Sequence, residues 1–125
     1  MRVLVAFEDT HRAYGDALVK AIRSAYPHLK ILEVAGLREL QAHLALFNPH
    51  LLISISHAVP LASRQGRLSW IELCVDPNKL SLICIEGQRW ESLNPSLSEL
   101  FDVLEQTESI LLARVTEPKR GEGAC

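Results

Sequence analysis

Segments with the spacing of β-strands and segments with the spacing of α-helices alternate along most of this chain. Short apolar runs begin at Arg2, Lys30, Leu51 and Leu80, and helical repeats of apolar residues separate the first three of them. Such alternation is typical of a parallel sheet whose strands are joined by right-handed crossover helices. The pattern therefore predicts a single α/β domain.

Strands are predicted at 2–7, 30–35, 51–56, 80–85 and 109–115. Helices are predicted at 10–25, at 37–47, briefly around 70–74, and from Leu97 onward, where Ser96 and Glu99 form a capping box. The last three strands are apolar at nearly every position, as expected for strands covered on both faces. We expect a flavodoxin-like three-layer sandwich with a five-stranded parallel sheet in the order 2-1-3-4-5, spanning residues 1–115, and a tail at 116–125.

Composition narrows the classes of partner. A chain of 125 residues is long enough to bury a core without metals or disulfides. Its net charge of -2 argues against nucleic acid and anionic membranes as partners. Three cysteines, Cys74, Cys84 and Cys125, lack metal-ligand spacing and fit a reducing compartment. With no apolar run of about 20 residues, the sequence predicts a cytoplasmic protein.

Ligands of open α/β sheets bind outside the carboxyl ends of the strands, where the strand order reverses. Polar residues that follow the predicted strands are the candidates for such a site. They are Glu8, Asp9, His11, Ser56, His57, Glu86 and Arg89. Arg64 and Arg67, in the loop that follows the third predicted strand, are further candidates. Carboxylates on one side and arginines on the other would favour a ligand with both cationic and anionic groups.

Two short sequence motifs resemble those of response-regulator receiver domains. One is the first strand followed directly by Glu8 and Asp9 and then by a helix. The other is Asn48-Pro49-His50-Leu51-Leu52, which opens the third strand. The resemblance covers about 2–115 and implies an acidic metal site, a phosphorylated aspartate ending strand three, a hydroxyl after strand four and a lysine after strand five.

The residues of receiver chemistry are nevertheless missing. Ile55 and Ser56 stand where the resemblance implies the nucleophile, and Glu86 stands where it implies the hydroxyl. No lysine-proline phrase follows Arg114. We therefore expect a pseudo-receiver that is not phosphorylated and acts in signalling through contacts with an unknown protein.

The alternative is a ligand-binding domain at the same crevice. The segment from Asp9 to Gly15 resembles the Asp-x-His-x-x-Gly phrase of cobalamin-binding domains, with one extra residue between His11 and Gly15. That resemblance implies His11 as a cobalt ligand and Ser54 or Ser56 as a supporting serine. A divalent metal held by Glu8, Asp9 and His57 is a further possibility, as is a solvated polar rim without a ligand.

The sequence favours a protein that is not an enzyme. Ser56 and His57 are neighbours on a predicted strand, so their side chains point to opposite faces and do not form a catalytic pair. The chain has no Gly-x-Ser-x-Gly elbow and no glycine-rich phosphate loop after the first strand.

A homodimer is predicted from the expected absence of a final helix. With strands at 80–85 and 109–115 and only a short tail beyond, one apolar face of strands four and five would be bare. Monomers rarely expose an apolar patch of several hundred Å². We expect two copies of the chain to cover that face by packing against each other around a two-fold axis.

Overall fold

The computed structural model describes residues 1–36, 38–55 and 66–116, without the side chains of 115 and 116. Its strands are β1 (Arg2–Phe7), β2 (Lys30–Ala35), β3 (Leu51–Ser54), β4 (Ser69–Glu72), β5 (Leu80–Ile85) and β6 (Gln88–Leu93). Its α-helices are α1 (Arg12–Ala25), α2 (Leu40–Phe47) and α3 (Leu97–Thr116). A 3₁₀ turn at Asp9–His11 joins β1 to α1.

The strands form one mixed sheet in the order β2-β1-β3-β4-β5-β6. The first four strands run parallel, and β5 and β6 are antiparallel to their neighbours. α1 and α3 pack against one face of the sheet, and α2 packs against the other. The sheet is therefore covered by helices on both sides, which confirms the α/β class.

The parallel half of the sheet is held by close packing of α1. Leu18, Val19 and Ile22 are buried against the face that also buries Phe7. The Phe7 ring lies so close to the helix that a Cβ at Gly15 would be 2.3 Å from Phe7 Cδ1. A glycine in mid-helix, normally unfavourable, is required here by the approach of the ring.

A tight turn joins the two antiparallel strands. Glu86 and Gly87 have φ values of 48° and 85°, and Ile85 pairs with Gln88 across them. Two consecutive residues with positive φ are typical of the type I′ turn, whose twist matches that of a hairpin. The β5–β6 segment is therefore a local hairpin, whereas the sequence analysis predicted no strand between 85 and 97.

The predictions for the first half of the chain are largely confirmed. β1, β2, α1 and α2 form where expected, and β2 lies at the sheet edge. α2 ends at Phe47, and Asn48 follows it with a left-handed φ of 47°. Of the predicted third strand, residues 51–54 are extended, whereas Ser56 lies outside the described residues, as does Leu37 of the predicted second helix.

The prediction of five parallel strands is wrong, because the segment around Trp70 is a strand and not a short helix. Ser69 and Ile71 face α1 and α3, whereas Trp70 faces α2. An apolar run this short does not distinguish a strand from a buried helical turn. The predicted fourth strand at 80–85 does form, but it is the fifth strand and runs antiparallel to β4.

The predicted strand at 109–115 is also wrong, since this segment is the second half of α3. Val103, Leu104 and Thr107 are buried at helical spacing, and neither glycine nor proline interrupts the helix. The helix predicted from Leu97 therefore continues to Thr116 and covers β5. Since no strand forms at 109–115, the expected bare face on strands four and five, which was the premise of the predicted homodimer, is absent.

Candidate functional site

The acidic residues after β1 lie on an exposed turn. Asp9 Oδ1 accepts a hydrogen bond of 2.8 Å from an Arg12 side-chain nitrogen, and the Asp9 side chain is 77% exposed. The Thr10 hydroxyl lies 3.5 Å from His11 Nδ1. Glu8 precedes the 3₁₀ turn in an extended conformation. The structure thus places Glu8, Asp9 and His11 at one strand end. Arg12 offsets part of the negative charge of the two carboxylates there.

Backbone hydrogen bonds join the end of β3 to the chain segments on both sides of it. The Ile55 N–H donates to the Ala6 carbonyl at 2.9 Å, and the Leu73 N–H donates to the Ser54 carbonyl at 2.7 Å. Ser54 and Ile55 are buried. The remaining predicted residues of this strand end, Ser56, His57 and Arg64, lie outside the described residues. Within residues 1–36, 38–55 and 66–116, no group of three or more His, Cys, Asp or Glu side chains is placed to hold a metal ion.

Glu86 and Arg89 do not join this strand end, so the predicted grouping of them with Glu8 and Asp9 is wrong. Because β5 runs antiparallel, Ile85 pairs with Ser69 at the start of β4. Glu86 therefore lies at the opposite end of the parallel strands, where it forms an ion pair of 3.0 Å with Arg114. Arg89 lies on the edge strand β6, with its Cζ 6.0 Å from the Trp70 ring centre.

A polar cluster that sequence reasoning missed lies where the parallel strands begin. Arg67 donates to Asn48 Oδ1 at 2.8 Å, and Arg2 Nε donates to the Asn48 carbonyl at 3.0 Å. The Arg2 N–H donates to His50 Nδ1 at 3.0 Å. Burial, and then the positive charge of Arg2, lower the pKa of His50. These contacts bind the left-handed residue Asn48 to its surroundings and make the cluster a structural element.

An apolar groove lies between α1 and the start of α3, and we call it the α1/α3 groove. It encloses about 210 Å³ and is lined by Tyr14, Ala17, Leu18, Ala21, Pro95, Leu97 and Leu100. Tyr14 and Leu97 are 41% and 45% exposed, although both are large and apolar. The sequence analysis predicted the helix α1 but no groove beside it. Its small residues at 17 and 21, facing a proline before a helix, were the available signal for a groove.

At one end of the groove, which we call its closed end, the residues that follow α1 contact α3. The Tyr26 and Phe101 rings meet edge to face with centroids 5.2 Å apart. The Tyr26 hydroxyl donates to Glu105 Oε2, and His28 Nε2 lies 2.9 Å from Glu108 Oε2. Acidic side chains of α3 therefore lie at the closed end. The hydrogen bond to Glu105, then desolvation, then the nearby negative charge raise the pKa of Tyr26 to about 12.

Among the described residues, no helix is both long and apolar enough to cross a membrane. No protein-family model, no curated protein and no solved structure matches this chain. The geometry of the chain itself is therefore the basis for the proposals below.

Proposed function

We propose that this protein is a non-catalytic interaction module, in the manner of a pseudo-receiver, whose α1/α3 groove receives an apolar side chain of a partner protein. The single observation behind this proposal is the exposure of Tyr14 and Leu97 on either side of an apolar groove. Exposed apolar surface that is concave and contiguous is characteristic of binding sites.

The size of the groove favours a side chain over a cofactor. Sites for drug-sized ligands and cofactors enclose about 300–1,000 Å³. The groove, at about 210 Å³, lies below that range. One bulky aliphatic or aromatic side chain on a partner polypeptide is a better match than a molecule as large as cobalamin.

The charge next to the groove indicates what should flank that side chain. Asp102, Glu105 and Glu108 all raise the pKa of Tyr26 through their negative charge, so they lie near the closed end of the groove. A lysine or arginine of the partner, next to its apolar residue, would be attracted to this end. We therefore propose an amphipathic segment with leucine anchors and flanking basic residues, in a cytosolic setting.

The test uses isotope-labelled protein and two synthetic helical peptides, one with two leucines a turn apart between lysines and one with serine in place of both leucines. We expect the leucine peptide to shift the backbone NMR signals of Ala17, Ala21 and Leu100, and the serine peptide to leave them unchanged. Ala17→Glu should remove the response because it places a carboxylate in the groove. Ala13→Glu, on an exposed position of the same helix outside the groove lining, is the matched control.

Either of two results would contradict the proposal. One is an absence of groove shifts with the leucine peptide at about millimolar concentration, where even weak binding is detected. The other is an equal response from Ala17→Glu and wild type, because the peptide would then bind elsewhere.

A ligand at the end of β1 is the second proposal, supported by Glu8, Asp9 and His11 on one turn. These three side chains are not placed to hold a metal by themselves, so a metal there would need His57 as a further ligand. Cobalamin would give the purified protein a visible absorbance, and a divalent metal would appear in elemental analysis. Loss of either signal on His11→Ala would support this site. A bound metal or corrin that is retained in His11→Ala would place the ligand elsewhere.

A further inference from the structure

β6 forms one edge of the sheet and is unusually open along its length. Among the strands that the structure describes, β5 pairs with it on one side and none pairs with it on the other. Gln88, Arg89, Trp90, Glu91 and Leu93 are exposed. Open edges with unpaired backbone groups are templates for pairing with another strand, and proteins commonly protect them with charged side chains, especially lysine, with proline or with a bulge. β6 contains neither lysine nor proline, and its two charged residues, Arg89 and Glu91, have opposite signs.

The hairpin geometry determines which backbone groups of β6 point outward. Residues that flank a two-residue turn form a hydrogen-bonded pair, and such pairs alternate along an antiparallel ladder. Since Ile85 and Gln88 flank the turn, Trp90 and Ser92 also direct their backbone groups toward β5. Arg89, Glu91 and Leu93 therefore direct their N–H and C=O groups toward the open edge.

The charges on these outward residues are complementary under a two-fold rotation. Arg89 and Glu91 lie on the same face of the strand, separated by Trp90. In an antiparallel pair centred on Trp90, Arg89 lies opposite Glu91 of the second copy, and Glu91 lies opposite its Arg89. Centring the pair on Arg89 or on Glu91 instead would set identical charges against each other, which is destabilising.

We propose that two copies of this chain pair antiparallel through β6, with the two-fold axis at Trp90, to form a continuous twelve-stranded sheet. Arg89 and Glu91 of each copy exchange backbone hydrogen bonds and form two cross-strand ion pairs. The Trp90 side chains meet on the α3 face of the sheet. This homodimer uses the sheet edge, and not the bare face that a missing final helix would have left.

The existing contact of Arg89 does not prevent this pairing. Its Cζ lies 6.0 Å from the Trp70 ring centre, at the outer limit of a cation–π interaction. Rotating the guanidinium toward a carboxylate on the neighbouring strand therefore gives up little. Trp90 is 37% exposed, so pairing at the edge would also cover apolar ring surface.

The experiment is a charge exchange measured by sedimentation equilibrium. Wild type should reach twice the chain mass of 14.0 kDa at high concentration. Arg89→Glu and Glu91→Arg should each weaken dimerisation by about tenfold or more, because each creates two like-charge pairs. The double variant R89E/E91R should dimerise as wild type does, because the complementary pairs are restored. Lys30→Glu on the opposite edge strand, with the same charge change as Arg89→Glu, should leave dimerisation unchanged.

Mixing the two single variants gives the sharpest result. Arg89→Glu has two glutamates and Glu91→Arg has two arginines at the paired positions, so an equimolar mixture should form a heterodimer that neither variant forms alone. This rescue also shows that both variants are folded. A wild-type protein that stays monomeric at about 1 mM would overturn the proposal. Equal dimerisation by all variants would also overturn it, because the contact would then lie elsewhere.

Discussion

The two halves of the sheet differ in how much of each is enclosed. In β1, the residues from Val3 to Phe7 have no exposed surface, and helices cover both faces of β1 and β3. In β6, every residue except Ser92 is exposed. The strand is held by a local turn and by the hydrogen bond from Ser92 to Glu99 of α3. The difference indicates that the parallel half supplies most of the stability, while the hairpin half leaves backbone and apolar groups available for contacts.

α3 connects these halves. Its Thr107 hydroxyl lies 2.7 Å from the Ser69 hydroxyl on β4, and both residues are buried. Its Glu99 accepts a hydrogen bond of 3.0 Å from Ser92 on β6, and its Arg114 pairs with Glu86 at the hairpin turn. Both proposed contact surfaces, the α1/α3 groove and the β6 edge, therefore border the same helix.

The largest expected effect is in the parallel half, at Gly15→Ala. In an ordinary helix this change is stabilising, but here the added Cβ would lie 2.3 Å from the buried Phe7 ring. Overpacking of this kind costs about 1–3 kcal/mol, and we expect the upper end of that range, measured by urea unfolding. Ser24→Ala, exposed on the same helix, should change stability by less than about 0.5 kcal/mol.

A second substitution decides whether the Phe7 ring is the cause. Phe7→Leu should be destabilising alone, yet the double variant with Gly15→Ala should be more stable than the sum of the two changes predicts. Additive effects would contradict the contact between Phe7 and Gly15.

A smaller effect is expected in the hairpin half, at Gly87→Ala. Gly87 has a φ of 85°, and an alanine held in a left-handed conformation costs about 1–2 kcal/mol. Because the hairpin turn is local, amide hydrogen exchange should become faster in β5 and β6 while β1 and β3 keep their protection. Gly36→Ala, at a φ of 84° beside β2, is the matched control. Equal loss of protection in all strands would show that the halves unfold as one unit.

The sequence predicted β1, β2 and β3 well because its signals there are both local and redundant. The β1–α1–β2–α2–β3 order follows from alternating periods, and Asn48-Pro49 marks the end of α2. In the hairpin half, two signals were ambiguous. Glu86-Gly87 is a less distinctive type I′ turn than Asn-Gly, and an apolar run in mid-helix at 109–115 has the composition of a buried strand.

The candidate site was less predictable than the fold. The direction of β5 decided where Glu86 and Arg89 lie, and a parallel sheet was assumed for that strand. The α1/α3 groove depends on the separation of two helices, which follows from the packing of Tyr26 on Phe101 and not from either helix alone. Neither the direction of a strand nor the separation of helices is encoded in a short segment.

The smallest effect is expected at the contact between Tyr26 and Glu105, which joins α1 of the parallel half to α3. The hydrogen bond to Glu105, then desolvation, then the nearby carboxylates raise the pKa of Tyr26 from 10.0 to about 12. A raised pKa means that folding favours the protonated hydroxyl. The contribution of this contact to stability is therefore complete below pH 10 and is lost as the pH rises from about 10 to about 12. Because the pair is near the surface, that contribution is small.

Spectrophotometric titration of the phenol groups can test this contact directly. Wild type should show an ionisation near pH 12 that is absent from Tyr26→Phe, which assigns it. Glu105→Gln removes the negative charge that opposes ionisation, so the pKa of Tyr26 should fall toward 10 in that variant. Ser109→Ala, exposed on the same helix, should leave it unchanged. If the step assigned to Tyr26 lies near pH 10 in wild type, α1 and α3 are not joined by this bond in solution. The closed end of the α1/α3 groove would then be open as well, and the groove would accept a longer partner segment than a single anchoring side chain.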